Sequence, residues 1–115
     1  MSAYFETTQP KQLLADFDSA IKIGNAKGGI TTWKKLVSGY YTHTSSQWEN
    51  EAFFLPAISA NRLTFNIVKP NSKSITTVAY AYYHGHIIET MLSHFDKQFT
   101  VGSATALQAP GDRLS

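Results

Sequence analysis

SITTVAYAYYHGHIIETMLSHFDKQF, residues 74–99, decides the fold. Val78, Ala81, Gly85, Ile88, Leu92, Phe95 and Phe99 recur at steps of three and four, the spacing of one helix face. Thr76 to Tyr83 satisfies strand alternation weakly, because Thr, Val and Tyr favour strands. Ile88, Met91, Leu92 and Phe95 fit only a helix. Asn71, Ser72 and Ser74 offer N-cap oxygens just upstream. Gly85 interrupts the interior at a cost of about 1 kcal/mol relative to Ala. A second stripe runs beside the first: Tyr80, Tyr83 or His84, Ile87, Met91 and His94. At roughly 100° per residue the two stripes cover more than half the circumference. One sheet hides only one stripe, so the second is expected to meet another helix, a partner chain or a ligand. Glu89, Ser93 and Lys97 read as the solvated face.

Working outward, residues 9–23 read as a helix. Pro10 suits its first turn, Leu13, Leu14, Phe17, Ala20 and Ile21 form the apolar face, and Gly24 stops it. Asp18 and Lys22 form an i,i+4 pair. Tyr4 and Phe5 are expected to pin the N-terminus onto the core. GNAKGG at 24–29 lacks the GxxxxGK[ST] spacing and follows a helix, so it reads as a connection rather than a phosphate loop. Residues 30–37 and 40–46 suggest a hairpin with Ser38-Gly39 as a two-residue tip. That register sets Val37 against Tyr40, Lys35 against Thr42 and Trp33 against Thr44. Residues 45–51 read as a loop around Trp48. AFFLPAIS at 52–59 is an apolar run in which Pro56 favours an edge or a bulge. Residues 62–68 alternate cleanly, with Leu63, Phe65 and Ile67 on one face and Arg62, Thr64, Asn66 and Val68 on the other. FTVGSATAL at 99–107 reads as a last strand, with Gly102 marking a bulge. The tail 108–115 lacks periodicity and is expected to be mobile.

The expected fold is therefore α+β, a single domain over residues 1–115. A mainly antiparallel sheet of about five strands carries two helices packed on one face, in the order α-β-β-β-β-α-β. The face opposite the helices is expected to hold Arg62, Thr64, Asn66 and Trp33.

The 115 residues are 43% hydrophobic and 16% charged, enough apolar matter for a core and too little charge for disorder. Two Trp, six Tyr and seven Phe leave some rings near the surface. Net charge is +2 and the only adjacent basic pair is Lys34-Lys35, which disfavours nucleic-acid binding. Cysteine is absent, which excludes disulfides and thiolate metal sites and fits a cytoplasmic setting. No segment resembles a signal peptide or a membrane span.

Three of the four histidines lie on the long helix. His86 and Glu89 share a face at i,i+3, whereas His84 points about 200° away from His86. Adjacent H-G-H therefore cannot grip one metal, no HExxH occurs, and no metal or cofactor is expected. GxSxG is absent, and Glu49 and Glu51 fall in a loop. Two site hypotheses remain. One is an aromatic pocket for a small molecule or protein partner, lined by Trp33, Tyr41, His43, Trp48, Tyr83 and His84. The other is an acid–base site of His84, His86 and Glu89 with a tyrosine nearby. A non-catalytic binding or interaction domain, self-associating as a homodimer, is the preferred reading; a small enzyme is the alternative and a weak nucleic-acid binder the second alternative. The YYHGHIIETMLSHFD helix followed by the FTVGSATAL strand resembles a small uncharacterised bacterial family of compact α+β proteins. The resemblance covers about the last third of the chain and implies no activity or residue roles.

Overall fold

The computed structural model describes residues 1–115. In chain order the elements are β1 (Ser2–Glu6), α1 (Pro10–Ile23), β2 (Trp33–Lys35), β3 (Tyr41–His43), β4 (Phe53–Ser59), β5 (Arg62–Val68), α2 (Thr77–Phe95) and β6 (Val101–Ala104). The strands form one six-stranded sheet in the order β2-β3-β4-β5-β1-β6, antiparallel throughout. The α+β class holds, but there are six strands rather than five, and the chain starts with one.

That extra strand is β1, expected only as an anchor. Ala3 and Phe5 are fully buried, and β1 sits inside the sheet with Phe5 opposite Leu63 on one side and Gly102 on the other. Gly102 is in register rather than bulged. A Cβ there would stand 3.0 Å from the Phe5 ring, so the ring occupies the space a side chain would need. The strand β6 is correspondingly shorter than the nine-residue run suggested.

Helix α1 starts at Pro10, and Thr7 Oγ1 accepts from the Gln9 amide just before it (3.0 Å). Asp18 does not pair with Lys22; it accepts from Tyr41 Oη and meets Lys35 Nζ at 3.2 Å. The buried side chains Leu13, Phe17 and Ala20 join the core, with Phe17 5.6 Å from the Phe65 ring.

The hairpin exists in another register. Trp33 pairs with His43, Lys34 with Thr42 and Lys35 with Tyr41. Its loop has three residues, closed by Leu36 N–H to Tyr40 C=O (2.7 Å) and by Gly39 N–H to Leu36 C=O (2.9 Å). Gly39 takes φ 92°, the left-handed residue that ends such a turn. A slip of one residue exchanges faces. It turns Trp33 into the core, where it is 1% exposed, and puts it beside His43 instead of on the open face with Arg62. Pro56 lies on β4 beyond the reach of β3, which meets that strand only at Tyr41–Phe54, so its missing N–H costs no ladder bond.

Helix α2 is capped by Thr76, whose side chain accepts from Ala79 N–H (3.1 Å). Its phase differs from the first stripe read from sequence. The buried positions are Ala79, Tyr83, His84, Ile87, Thr90, Met91 and Phe95. Val78 and Leu92 are 67% and 51% exposed, and Ala81 and Gly85 are exposed between them. Tyr83, Ile87 and Met91 remove more apolar surface than an Ala-Gly seam does, so they fix the rotation of the helix.

The tail does not run free. Arg113 bridges Val68 in parallel, and Asp112 is buried, accepting from Asn66 Nδ2 (2.9 Å), Ile67 N (3.0 Å) and Ala109 N (2.7 Å).

Candidate functional site

The register of the hairpin and the phase of α2 together build one cluster: Trp33, His43, Trp48, Tyr82, Tyr83 and His86. The loop that brings Trp48 in is held from below. Tyr83 Oη donates to Trp48 C=O and lies 3.0 Å from Thr42 Oγ1, which donates to Ala52 C=O and accepts from Asn50 N–H. Trp48 then stacks on Tyr82 at 4.4 Å with planes 13° apart. Tyr82 in turn lies 5.4 Å from His86 and 5.3 Å from His43. Trp33 closes the inner side, 5.3 Å from His43 and 5.6 Å from His86, with its indole N–H donated to Thr90 Oγ1 (3.0 Å).

At the centre His43 Nε2 and His86 Nδ1 are 2.8 Å apart. Hydrogen-bond logic assigns the protons. Ser45 N–H donates to His43 Nδ1 (3.1 Å), so His43 carries its proton on Nε2 and donates to His86 Nδ1. His86 is then protonated on Nε2, which lies 3.5 Å from Glu89 Oε1. A directed chain thus runs from the Ser45 amide through two imidazoles, with the Glu89 carboxylate nearby beyond its last nitrogen. Burial pushes His43 down to about 4, assisted by repulsion from His86. Burial also lowers His86, with Glu89 opposing. Both rings are therefore neutral near pH 7. The Ser45 hydroxyl is buried without a partner beside this chain.

Sequence reasoning placed six residues in an aromatic pocket; four of them, Trp33, His43, Trp48 and Tyr83, do converge. Tyr41 does not: its ring packs 5.2 Å from Phe17, and burial, then the hydrogen bond to Asp18, raises its phenol well above the ordinary range. His84 lies on another side of α2, 4.8 Å from Tyr80 and 5.2 Å from Phe54. Its Nδ1–H donates to Tyr80 C=O (2.7 Å), while Nε2 is buried without a partner. Burial lowers it too, against the opposing backbone carbonyls of Tyr80 and Met1. Of the acid–base set, His86 and Glu89 come together and His84 is apart from both. Tyr82 was not among the selected residues, although its i,i+4 spacing to His86 was visible in the sequence.

The cluster fills its own interior. None of the four cavities of the molecule is lined by Trp33, His43, Trp48, Tyr82 or His86. No group of three or more His, Asp and Glu side chains is placed to hold a metal ion. The arrangement can share or pass a proton along the imidazole pair, with Glu89, 63% exposed, at its open end. No helix is long and apolar enough to cross a membrane. Comparison with protein-family models, with curated proteins and with solved structures finds no match to this chain.

Proposed function

We propose that the chain is a non-catalytic interaction domain that associates with a second copy of itself through the outward stripe of α2. The supporting observation is the exposure of Val78, Ala81, Gly85 and Leu92 along one side of a helix whose other side is buried. In this reading α1 and α2 share the sheet face that carries Leu63, Phe65 and Ile67, through Phe17 on Phe65 and Tyr83 on Phe54, and the outer side of α2 is left over. The stripe is self-complementary. An antiparallel copy crossing at Gly85 sets Val78 against Leu92 and Tyr82 against Ile88, since each pair is equidistant from residue 85. Glycine at the crossing lets the two backbones approach.

Sedimentation at micromolar concentration tests this. The expected mass is that of a dimer, and Gly85→Arg is expected to give a folded monomer, because a side chain at that position meets nothing within 4 Å in the single chain. A wild-type monomer at every concentration reached would sink the reading.

A second reading, a small acid–base enzyme, draws support from the 2.8 Å imidazole contact aligned on Glu89. It requires Trp48 and Tyr82 to part so that a substrate reaches His86, which is 18% exposed in its side chain. Nucleic-acid binding gains no support, because Lys34 and Lys35 are neutralised by Glu49 and Asp18.

A further inference from the structure

The sheet face that carries Phe53, Leu55 and Val68 holds a groove independent of both α2 and the histidine pair. Its floor comes from β4, β5 and the hairpin residues just beyond β2 and before β3. Leu36 and Tyr40 meet across the hairpin, the Tyr40 ring lies 6.1 Å from Phe53, and Phe53 stands opposite Val68. The groove has a volume of ≈ 440 Å³, and its polar wall carries Lys69 and Arg113 together with Ser38, Asn71 and Ser115.

The two cations are placed rather than trailing. Arg113 N–H donates to Ile67 C=O (2.8 Å) and its C=O accepts from Lys69 N–H (2.8 Å), so the tail is stitched to the end of β5. The guanidinium spends one donor on Tyr40 Oη (3.1 Å), and the Lys69 ammonium spends one on Pro70 C=O (3.1 Å). Arginine has five N–H donors and lysine three, so most are unspent. Neither residue makes an ion pair. Arg62 supplies the contrast: it lies over the Tyr4 ring at 4.0 Å but is neutralised by Glu6. Arg113 and Lys69 keep unspent donors beside the apolar floor, with Ser115 lining the same groove.

We infer that this groove binds a small ligand made of an aromatic body and an anionic end, an aryl phosphate or carboxylate. The ring lies on Phe53 and Val68 beside Tyr40, and the anion takes the spare donors of Arg113 and Lys69 in charge-assisted hydrogen bonds.

Amide-shift mapping of the intact chain with phenyl phosphate, phenol and inorganic phosphate tests the inference. Phenyl phosphate is expected to give saturable shifts at Tyr40, Phe53, Lys69 and Arg113, weakened by raised salt. Phenol and phosphate alone are each expected to bind at least about tenfold more weakly, since each lacks one half of the recognition. Arg113→Gln, which keeps the backbone bridge, is expected to weaken phenyl phosphate about tenfold. Lys69→Gln provides an independent variant should the tail detach in the first. Three results would overturn the site: no saturation, shifts scattered over other lysines, or unchanged affinity in both variants. Equal binding of phosphate alone would overturn its aromatic half.

Discussion

His84 and His86 stand two residues apart on one helix and live in different worlds. His86 is hydrogen-bonded at Nδ1 by His43 and has Glu89 beyond its Nε2. His84 spends one nitrogen on its own helix and buries the other with nothing to bond. Desolvation lowers the proton affinity of both. Burial therefore sets the charge state at either place, whereas a partner decides what that state costs. The paired ring belongs to a network whose members depend on one another; the solitary ring carries the desolvation cost of an orphaned acceptor.

The largest expected effect comes from acid. An unfolded His43 takes its proton near pH 6.5, and the folded one only at about 4. Between those values the unfolded chain binds more protons, so stability falls as pH is lowered through this window and is level above it. His43 alone is expected to remove about 1–3 kcal/mol between pH 7 and pH 4, with His86 and His84 adding loss of the same sign. Urea midpoints at pH 7, 5.5 and 4.5 measure it. His43→Gln should flatten much of the slope, and equal midpoints in the wild type would break the contrast.

A pair of substitutions sharpens it. His86→Leu leaves the His43 N–H without its acceptor and is expected to cost about 1–3 kcal/mol in urea unfolding. His84→Leu removes the orphaned nitrogen together with one hydrogen bond to a helix carbonyl, and is expected to fall within about 1 kcal/mol of neutral. Equal losses at the two positions would show that pairing is irrelevant.

Another small effect lies between the two histidines. Gly85 is exposed and its Cβ direction is empty, so Gly85→Ala is expected to stabilise the helix by about 1 kcal/mol in dilute solution. A smaller gain at high concentration would report the second copy pressed against it.

Much of the backbone was legible. Alternation at Leu63, Phe65 and Ile67 marks β5, and the Pro10-to-Gly24 signals mark α1, because local pattern and tertiary burial agree there. Phase and register were less so. Ala81 and Gly85 fit the apolar seam of α2 without demanding burial, and only the assembled core shows that Tyr83, Ile87 and Met91 win it. The hairpin slipped by one because Val37-Ser38-Gly39 forms a three-residue loop, a choice that Ser38-Gly39 alone does not declare. Trp33, His43, Trp48 and Tyr83 were legible as neighbours, but that single residue hid the contact of His43 with His86, which depends on which face His43 takes. The strand β1 offers five residues without turn punctuation, and its place between β5 and β6 is set by partners far along the chain. The separation of His84 from His86 followed from helix geometry alone.

The position of β1 also governs when the protein can exist. Synthesis makes Ser2–Glu6 far ahead of one of the two neighbours that flank this strand, Val101–Ala104. The β1–β6 edge cannot close until β6 has emerged, so this side of the sheet forms after the strands between them rather than progressively from β1. Until then β1 can pair only with β5, and Phe5 lacks the strand that lies opposite it at Gly102.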